Sequence, residues 1–326
     1  MNCFTHPKDG DRVLWIRFSA FGDVLQAAAS ALAFKKHFPN IHLTYLTRIE
    51  YGPILKNQPY LDEVLAWDIK KRPWDFFKIL RSTRGRYQWL ISLHRSGAAA
   101  LVSLFSKVPI RLGYNRGLQF AYTTTHWEYL DRMRMDINNR PEPALFTTSE
   151  DLDKAASLLK ELPQRRLFAI IGASKPQKLW PIPHWIEFLR PLLAKGWGVV
   201  LNGHGPKEME AAETIASALQ SPAVLNLVGQ APFTLMAALA KSCSVAVGND
   251  TGPLHLAALV GTPTLGFFGV TDSWSMRFRM PWFREVRVSC PQAGCHNYSC
   301  PVDCLADIAP EQALAAFCSM TQDLLL

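Results

Sequence analysis

The residues best suited to chemistry follow a short apolar segment in the second half of the chain. Val245 to Gly248 is apolar enough to form a buried strand, and the polar turn Asn249 to Gly252 comes directly after it. Pro253 to Val260 then has the composition of a short helix that Gly261 ends. Open α/β sheets bind ligands at the carboxyl ends of their strands, and a helix amino terminus attracts anions. The pattern therefore indicates a site for a phosphorylated ligand.

Several groups of this turn could contact such a ligand. Asp250 can accept hydrogen bonds from ligand hydroxyl groups, and the amides of Thr251 and Gly252 can face a phosphate. His255 comes four residues after Thr251, so it lies on the same helix face. An ordinary strand-to-helix turn with a capping aspartate and a buried histidine has the same short pattern. Taken alone, these residues leave both interpretations open.

Two other predicted strand ends carry residues of this kind. Ser174 and Lys178 lie in the turn from Gly172 to Pro181, where a hydroxyl can bond a phosphate oxygen and an ammonium group can neutralise one. Glu208 follows the next strand end, in the string N-G-H-G-P-K-E. A lysine in an exposed turn is more often simply solvated, so this turn also allows a purely structural interpretation.

Asp23 opens a predicted helix near the amino terminus, directly after the first predicted strand and a short turn. The helix dipole favours an acidic residue there by about 0.3–1 kcal/mol, which would be a sufficient reason for its presence. The turn is not a phosphate-binding loop, because it lacks the G-K-[ST] sequence.

The longer strings around these residues resemble a known family. From Asp250 the chain reads D-T-G-P-L-H-L-A-A-L-V-G-T-P-T-L-G-F-F-G-V-T-D. This resembles the signature of glycosyltransferase family 9, the heptosyltransferases of lipopolysaccharide core assembly, with Val270 where proline is usual. R-F-S-A-F-G-D-V, which ends one residue after Asp23, is similar to the family's amino-terminal motif. G-A-S-K-P-Q-K-L-W-P, which contains Lys178, is similar to its second donor motif.

The resemblance implies an inverting glycosyltransferase that needs neither a cofactor nor a metal. Its donor would be ADP-L-glycero-D-manno-heptose, and its acceptor the inner core of lipopolysaccharide on a Kdo-lipid A type anchor. Asp23 would be the catalytic base, Lys178 would contact the donor diphosphate and Glu208 the donor ribose. Ser174, Asp250, Thr251, Gly252 and His255 would complete the donor site.

Strands and helices alternate along both halves, which predicts parallel doubly wound sheets of the α/β class. Strands are predicted at 12–18, 41–46, 64–67, 87–93, 110–113, 167–171, 198–201, 224–227, 245–248 and 263–268. The resemblance implies GT-B architecture, two Rossmann-like domains facing a central cleft. Residues 1–160 would bind the acceptor and residues 161–326 the nucleotide sugar. The predicted helix from Pro310 to Leu325 would cross back onto the first domain.

Composition places the chain among folded proteins, with 48% hydrophobic and 19% charged residues. Membrane spans need an apolar run of about 18 residues or more, and the sequence has none. The amino terminus also lacks a signal core, which predicts a cytoplasmic protein whose seven cysteines are thiols or metal ligands.

Positive charge is concentrated in the first half. Met1 to Lys160 holds 23 Lys and Arg against 15 Asp and Glu, whereas Glu161 to Leu326 holds 12 of each kind. Such asymmetry suggests an anionic partner, for which nucleic acid, an acidic lipid surface and a phosphorylated glycolipid all qualify. Lys70, Lys71 and Arg72 begin a basic and aromatic segment that can lie on an anionic interface, and we assign these three residues to acceptor contact at the cytoplasmic face of an anionic inner membrane. A solvated helix face is the alternative.

Four cysteines near the carboxyl end, Cys290, Cys295, Cys300 and Cys304, have the spacing C-x4-C-x4-C-x3-C, with His296 among them. Zinc sites prefer C-x2-C pairs, so a thiol-containing loop is favoured over structural zinc.

Three other functions compete with heptosyl transfer to lipopolysaccharide. A family 9 enzyme could use another nucleotide sugar or another acceptor. A sugar-nucleotide epimerase with two similar domains would leave the Asp23 motif unexplained. A basic protein that binds nucleic acid or lipid surfaces would explain the charge and leave all three motifs unexplained. We therefore predict no nucleic-acid partner.

Overall fold

The computed structural model describes residues 6–68, 72, 74–125, 142–274 and 279–322. The chain divides into two compact units, Met1–Asn139 and Arg140–Leu326. Each unit contains one parallel sheet with helices packed on it.

The first unit contains a five-stranded sheet in the order β3-β2-β1-β4-β5. Its strands are β1 (Arg12–Ile16), β2 (His42–Arg48), β3 (Glu63–Trp67), β4 (Trp89–Ser92) and β5 (Ile110–Leu112), and its helices are α1 (Phe21–His37), α2 (Gly52–Lys56), α3 (Asp75–Thr83) and α4 (Gly97–Phe105). The chain winds outward from β1 to β3 and then returns to place β4 on the other side of β1. The ends of β1 and β4 therefore form a topological switch point, where such sheets bind ligands.

The second unit repeats this plan with six strands in the order β8-β7-β6-β9-β10-β11. Its strands are β6 (Arg166–Ile170), β7 (Gly198–Asn202), β8 (Val224–Asn226), β9 (Val245–Asn249), β10 (Thr264–Phe268) and β11 (Phe283–Arg287). Its helices are α5 (Ser149–Leu159), α6 (Ile182–Ala194), α7 (Pro206–Leu219), α8 (Phe233–Lys241), α9 (Gly252–Leu259) and α10 (Pro310–Gln322). The switch point of this sheet lies between β6 and β9.

The inner strands of the second sheet are largely apolar, since helices cover both faces. Every residue of β7, β9 and β10 is buried, as expected for the inner strands of a parallel sheet. An aromatic cluster under one face joins Trp180, Trp185, Phe188 and Phe267. Trp180 Nε1 also donates a hydrogen bond to Ile308 O at 2.9 Å. These contacts fix the end of the turn that follows β6.

The two units divide earlier than the predicted domains. Helix α5 packs on α8 of the second unit, and the amides of Ala144 and Leu145 both bond Leu259 O at the end of α9. Residues from Arg140 onward therefore belong with the second unit, and the predicted boundary after residue 160 falls at the far end of α5. The assignment of acceptor and donor to the two domains stays a prediction.

Helix α10 packs on α6 and β11, with Ala313, Phe317 and Met320 in the core of the second unit. The predicted crossing of this helix to the first domain stays a prediction. Every helix in the described part of the chain is too short or too polar to cross a bilayer.

Candidate functional site

Asp250 lies at the centre of a buried polar cluster, one residue beyond the end of β9, and is 2% exposed. Lys178 Nζ lies 2.5 Å from Asp250 Oδ2 and 3.2 Å from its backbone oxygen. Thr271 Oγ1, just beyond β10, donates to the same Oδ2 at 2.7 Å. Turns after three different strands thus meet at one carboxylate.

The neighbours of Asp250 keep it ionised. Burial raises the pKa of this carboxyl group, but His255 and the Lys178 ammonium oppose it and hold the pKa well below its usual range. His255 Nε2 lies 3.6 Å from Asp250 Oδ1, slightly beyond ordinary hydrogen-bond distance. The carboxylate is thus enclosed by a lysine and a threonine on one oxygen and by a histidine on the other.

Asn249 ties the two central strands of this sheet together. Its Nδ2 donates to Ile171 O at 2.9 Å and to Gly172 O at 3.3 Å, and its Oδ1 accepts from Trp180 N at 3.1 Å. The side chain therefore holds both ends of the turn that carries Lys178. Sequence reasoning placed Asn249 only in a turn, because its partners lie some 70 to 80 residues away along the chain.

Glu208 lies in the first turn of α7, beyond the end of β7. Its Oε2 accepts from His204 N at 2.5 Å. Burial raises the pKa of Glu208, and the amides of His204 and Ala173 act against it. A Cβ atom at Gly172 would lie 1.8 Å from Glu208 Oε2, and one at Gly203 would lie 2.6 Å from it. Both positions therefore require glycine for this carboxylate to lie where it does.

The other predicted donor residues lie at the same sheet edge. Thr251 and Gly252 form the start of α9 and are half-buried, and Ser174 is exposed in the turn after β6. Since the carboxyl ends of parallel strands share one edge, the structure brings all seven predicted donor residues to that edge of the second sheet. Thr271 and Asn249 join them as residues that the sequence did not single out.

Asp23 occupies the third position of α1 at the switch point of the first sheet. Its Oδ2 accepts from Ala20 N at 3.2 Å and lies 2.6 Å from Arg17 Nη2, while 52% of the side chain stays exposed. Arg17 also donates to Leu93 O at the end of β4. The carboxylate is thus held in a defined position and remains accessible.

His94 lies beside this group, with its ring edge-on to Phe18. Burial lowers the pKa of His94 to about 4, and the Arg17 cation acts in the same direction. The imidazole is therefore neutral near neutral pH, beside the accessible Asp23 carboxylate.

The remaining predicted residues are less well defined. Arg72 is exposed just before α3, whereas Lys70 and Lys71 lie outside the described residues. Cys290 and Cys295 are exposed, and Cys300 and Cys304 are partly buried. Within the described ranges, no group of three or more His, Cys, Asp or Glu side chains has the arrangement of a metal site.

Comparison with known proteins decides the family. The model of glycosyltransferase family 9 (heptosyltransferase) matches residues 76–305. The chain belongs to glycosyltransferase family 9. It is 26% identical to lipopolysaccharide heptosyltransferase 1 of Campylobacter coli, over 82% of this chain and 86% of that protein.

Solved structures show the same fold. A family 9 glycosyltransferase from Veillonella parvula superposes with a TM-score of 0.83 at 16% identity, covering 97% of this chain and 98% of that one. The E. coli ADP-heptose lipopolysaccharide heptosyltransferase II gives a TM-score of 0.78 at 20% identity, covering 97% and 100%. The predicted family, the α/β GT-B fold class and the assignment as a glycosyltransferase are confirmed.

Proposed function

We propose that this enzyme transfers a heptose from ADP-L-glycero-D-manno-heptose to the inner core of lipopolysaccharide, with inversion at the anomeric carbon. The observation that carries the proposal is the buried cluster of Asp250, Lys178 and His255, which lies beside the start of α9 at Thr251 and Gly252. A nucleoside diphosphate sugar presents both the anion and the hydroxyl groups that such a cluster would bind.

Each donor contact follows from the chemistry of its residue. The Lys178 ammonium and the amides of Thr251 and Gly252 would stabilise the departing diphosphate, each typically by a few kcal/mol. Ser174 would bond a phosphate oxygen, Asp250 would accept from a ligand hydroxyl and His255 would keep Asp250 ionised. Glu208 would bond the ribose hydroxyls. On this scheme protein cations stabilise the negative charge of the diphosphate, which a divalent metal would otherwise do.

Asp23 would act as the general base. As the acceptor oxygen bonds the anomeric carbon, its proton passes to the Asp23 carboxylate, and the bond from that carbon to the diphosphate oxygen breaks with its electron pair leaving on ADP. Arg17 and the amide of Ala20 fix one carboxylate oxygen of Asp23, while 52% of the side chain stays exposed to an acceptor. General-base catalysis of this kind typically contributes about 10²–10⁴-fold.

The acceptor would be a Kdo-lipid A type glycolipid at the cytoplasmic face of an anionic inner membrane. The positive charge of residues 1–160 suits its phosphates and acidic sugars. Lys70, Lys71 and Arg72 are proposed acceptor contacts. Another nucleotide sugar remains the second candidate, because a diphosphate site alone does not select the base or the sugar.

Mass spectrometry of the product tests this proposal. The purified chain is incubated with ADP-heptose, UDP-hexoses or GDP-hexoses and with lipopolysaccharides truncated at successive inner-core positions. Addition of one heptose to a truncated acceptor, from ADP-heptose only, is the expected result. Transfer from a UDP- or GDP-sugar, with none from ADP-heptose, would replace this donor assignment.

A further inference from the structure

The outer face of α3 carries aromatic rings and cations. Trp74 is 77% exposed and Phe77 is 63% exposed, and their rings lie 6.2 Å apart in a stacked arrangement. Lys78, Arg81 and Arg84 are also exposed. These five residues are spaced by three or four positions, so they share one side of the helix.

The opposite face of α3 explains why this side points outward. Ile79 and Thr83 are buried, and Ile79 belongs to the core between the helix and the first sheet. Asp75 is buried as well and lies 3.1 Å from Lys78 Nζ. Its carboxylate therefore pairs with one cation of the outer face while remaining buried itself. The exposed rings of Trp74 and Phe77 are therefore not part of the packed core of the unit.

Helix α4 extends this surface. It packs beside α3 on the same core, and its Phe105 is 52% exposed and its Leu101 38% exposed. From Phe76 to Trp127 the sequence holds eight Lys and Arg and no Asp or Glu. Exposed apolar side chains thus lie on both helices, α3 adds the cations, and the one carboxylate within α3 and α4 is that of the buried Asp75. We call the outward sides of α3 and α4 the α3–α4 face.

We propose that the α3–α4 face docks the enzyme on an anionic lipid bilayer, with Trp74 and Phe77 at the headgroup boundary and Lys78, Arg81 and Arg84 beside lipid phosphates. The proposal deepens the proposed function, since a membrane-anchored acceptor lies in such a surface. Aromatic rings favour the membrane interface, and each nearby cation typically strengthens binding about fivefold. Single-stranded nucleic acid instead requires a groove that tracks its backbone, whereas these groups stand on the outward sides of two adjacent helices.

Flotation with vesicles of phosphatidylethanolamine and phosphatidylglycerol tests the docking without any substrate. The intact chain should float with these vesicles, far less with phosphatidylcholine vesicles, and less again as salt rises. Trp74→Ala/Phe77→Ala and Lys78→Gln/Arg81→Gln/Arg84→Gln should each weaken binding by about tenfold or more. Matched controls are Lys36→Gln/Lys56→Gln, exposed cations of α1 and α2, and Ile49→Ala, an exposed apolar residue.

Equal binding by the variants and their controls, or no binding to anionic vesicles, would overturn the docking surface. The docking surface would also be overturned if the chain bound single-stranded RNA but no vesicles, and if the same substitutions weakened RNA binding. The α3–α4 face would then be a nucleic-acid surface. Trp74→Ala/Phe77→Ala should still glycosylate a delipidated core oligosaccharide at the unmodified rate. Vesicle binding without heptosyl transfer by the unmodified chain would leave the docking intact and reject the proposed function.

Discussion

At the scale of single residues, the donor site depends on charges that compensate one another in a buried place. Asp250 is stable as an anion only because Lys178 and His255 offset the cost of its burial. Thr271 and Lys178 contact one carboxylate oxygen, and His255 faces the other. The same arrangement fixes the position of the Lys178 ammonium, as its proposed role of stabilising a diphosphate would require.

Replacing Lys178 tests this arrangement. Lys178→Ala should weaken ADP binding by about 10- to 100-fold, since a hydrogen bond to a charged group contributes about 1.5–3 kcal/mol. Lys175→Ala is the matched control, because Lys175 is an exposed cation of the same turn. Isothermal titration calorimetry with ADP measures both variants. An equal loss of ADP affinity in the two variants would show that the effect comes from the net positive charge of the turn. Lys178 would then not be a specific contact of the diphosphate.

At the scale of elements, the glycines at the ends of β6 and β7 let strands and a helix approach closely. Gly172 and Gly203 leave the space that the Glu208 carboxylate fills. The first turn of α7 can therefore contact the turn after β6, and Glu208 accepts amide hydrogen bonds from His204 and Ala173. The two glycines thus determine where a side chain of α7 lies.

A methyl group at Gly172 should displace Glu208. Gly172→Ala is expected to destabilise the chain by about 1–3 kcal/mol through overpacking and to weaken ADP binding. Thermal unfolding and calorimetry measure both effects. Gly97→Ala is the control, because a Cβ there would meet only Leu118 at 3.9 Å. In a Glu208→Ala background the Gly172→Ala penalty should largely vanish, and a penalty of unchanged size would show that the collision is not its cause.

Elements with strong periodicity or clear end signals were predicted well, and those that depend on distant partners were not. Helix α9 was predicted to within one residue at each end, because Pro253 suits a first turn and Gly261 follows the last one. Strand β11 was missed. Its Arg284, Glu285 and Arg287 are exposed, and it is ordered as an edge strand by pairing with β10. Local sequence carries no sign of that pairing.

The residues of the candidate site also fall into those that were predicted and those that depend on distant partners. Polar residues at predicted strand ends made Asp23, Lys178 and Asp250 candidates, and the resemblance of three motifs to the family singled them out from the structural alternatives. The support that Asn249, Thr271 and Arg17 give to these groups arises only when strands pair in the folded sheets. Residue types alone could not assign those roles.

At the scale of the whole molecule, the two units carry different parts of the proposed reaction. The second unit has the donor-type cluster, and the first has the accessible Asp23 and the α3–α4 face. The excess positive charge of residues 1–160 accords with this division, since an anionic acceptor and its membrane would meet the first unit. Donor binding and proton abstraction should therefore be separable by mutation.

Turnover of the Asp23→Asn variant, measured together with its affinity for ADP-heptose, tests this account most directly. An amide cannot take the acceptor proton, so the rate of heptose transfer should fall by about 10²–10⁴-fold. Affinity for ADP-heptose should stay that of the unmodified enzyme, because the proposed donor contacts all lie in the second unit. Near-normal turnover, or a loss of donor affinity as large as the loss of rate, would contradict the assignment of Asp23 as the base.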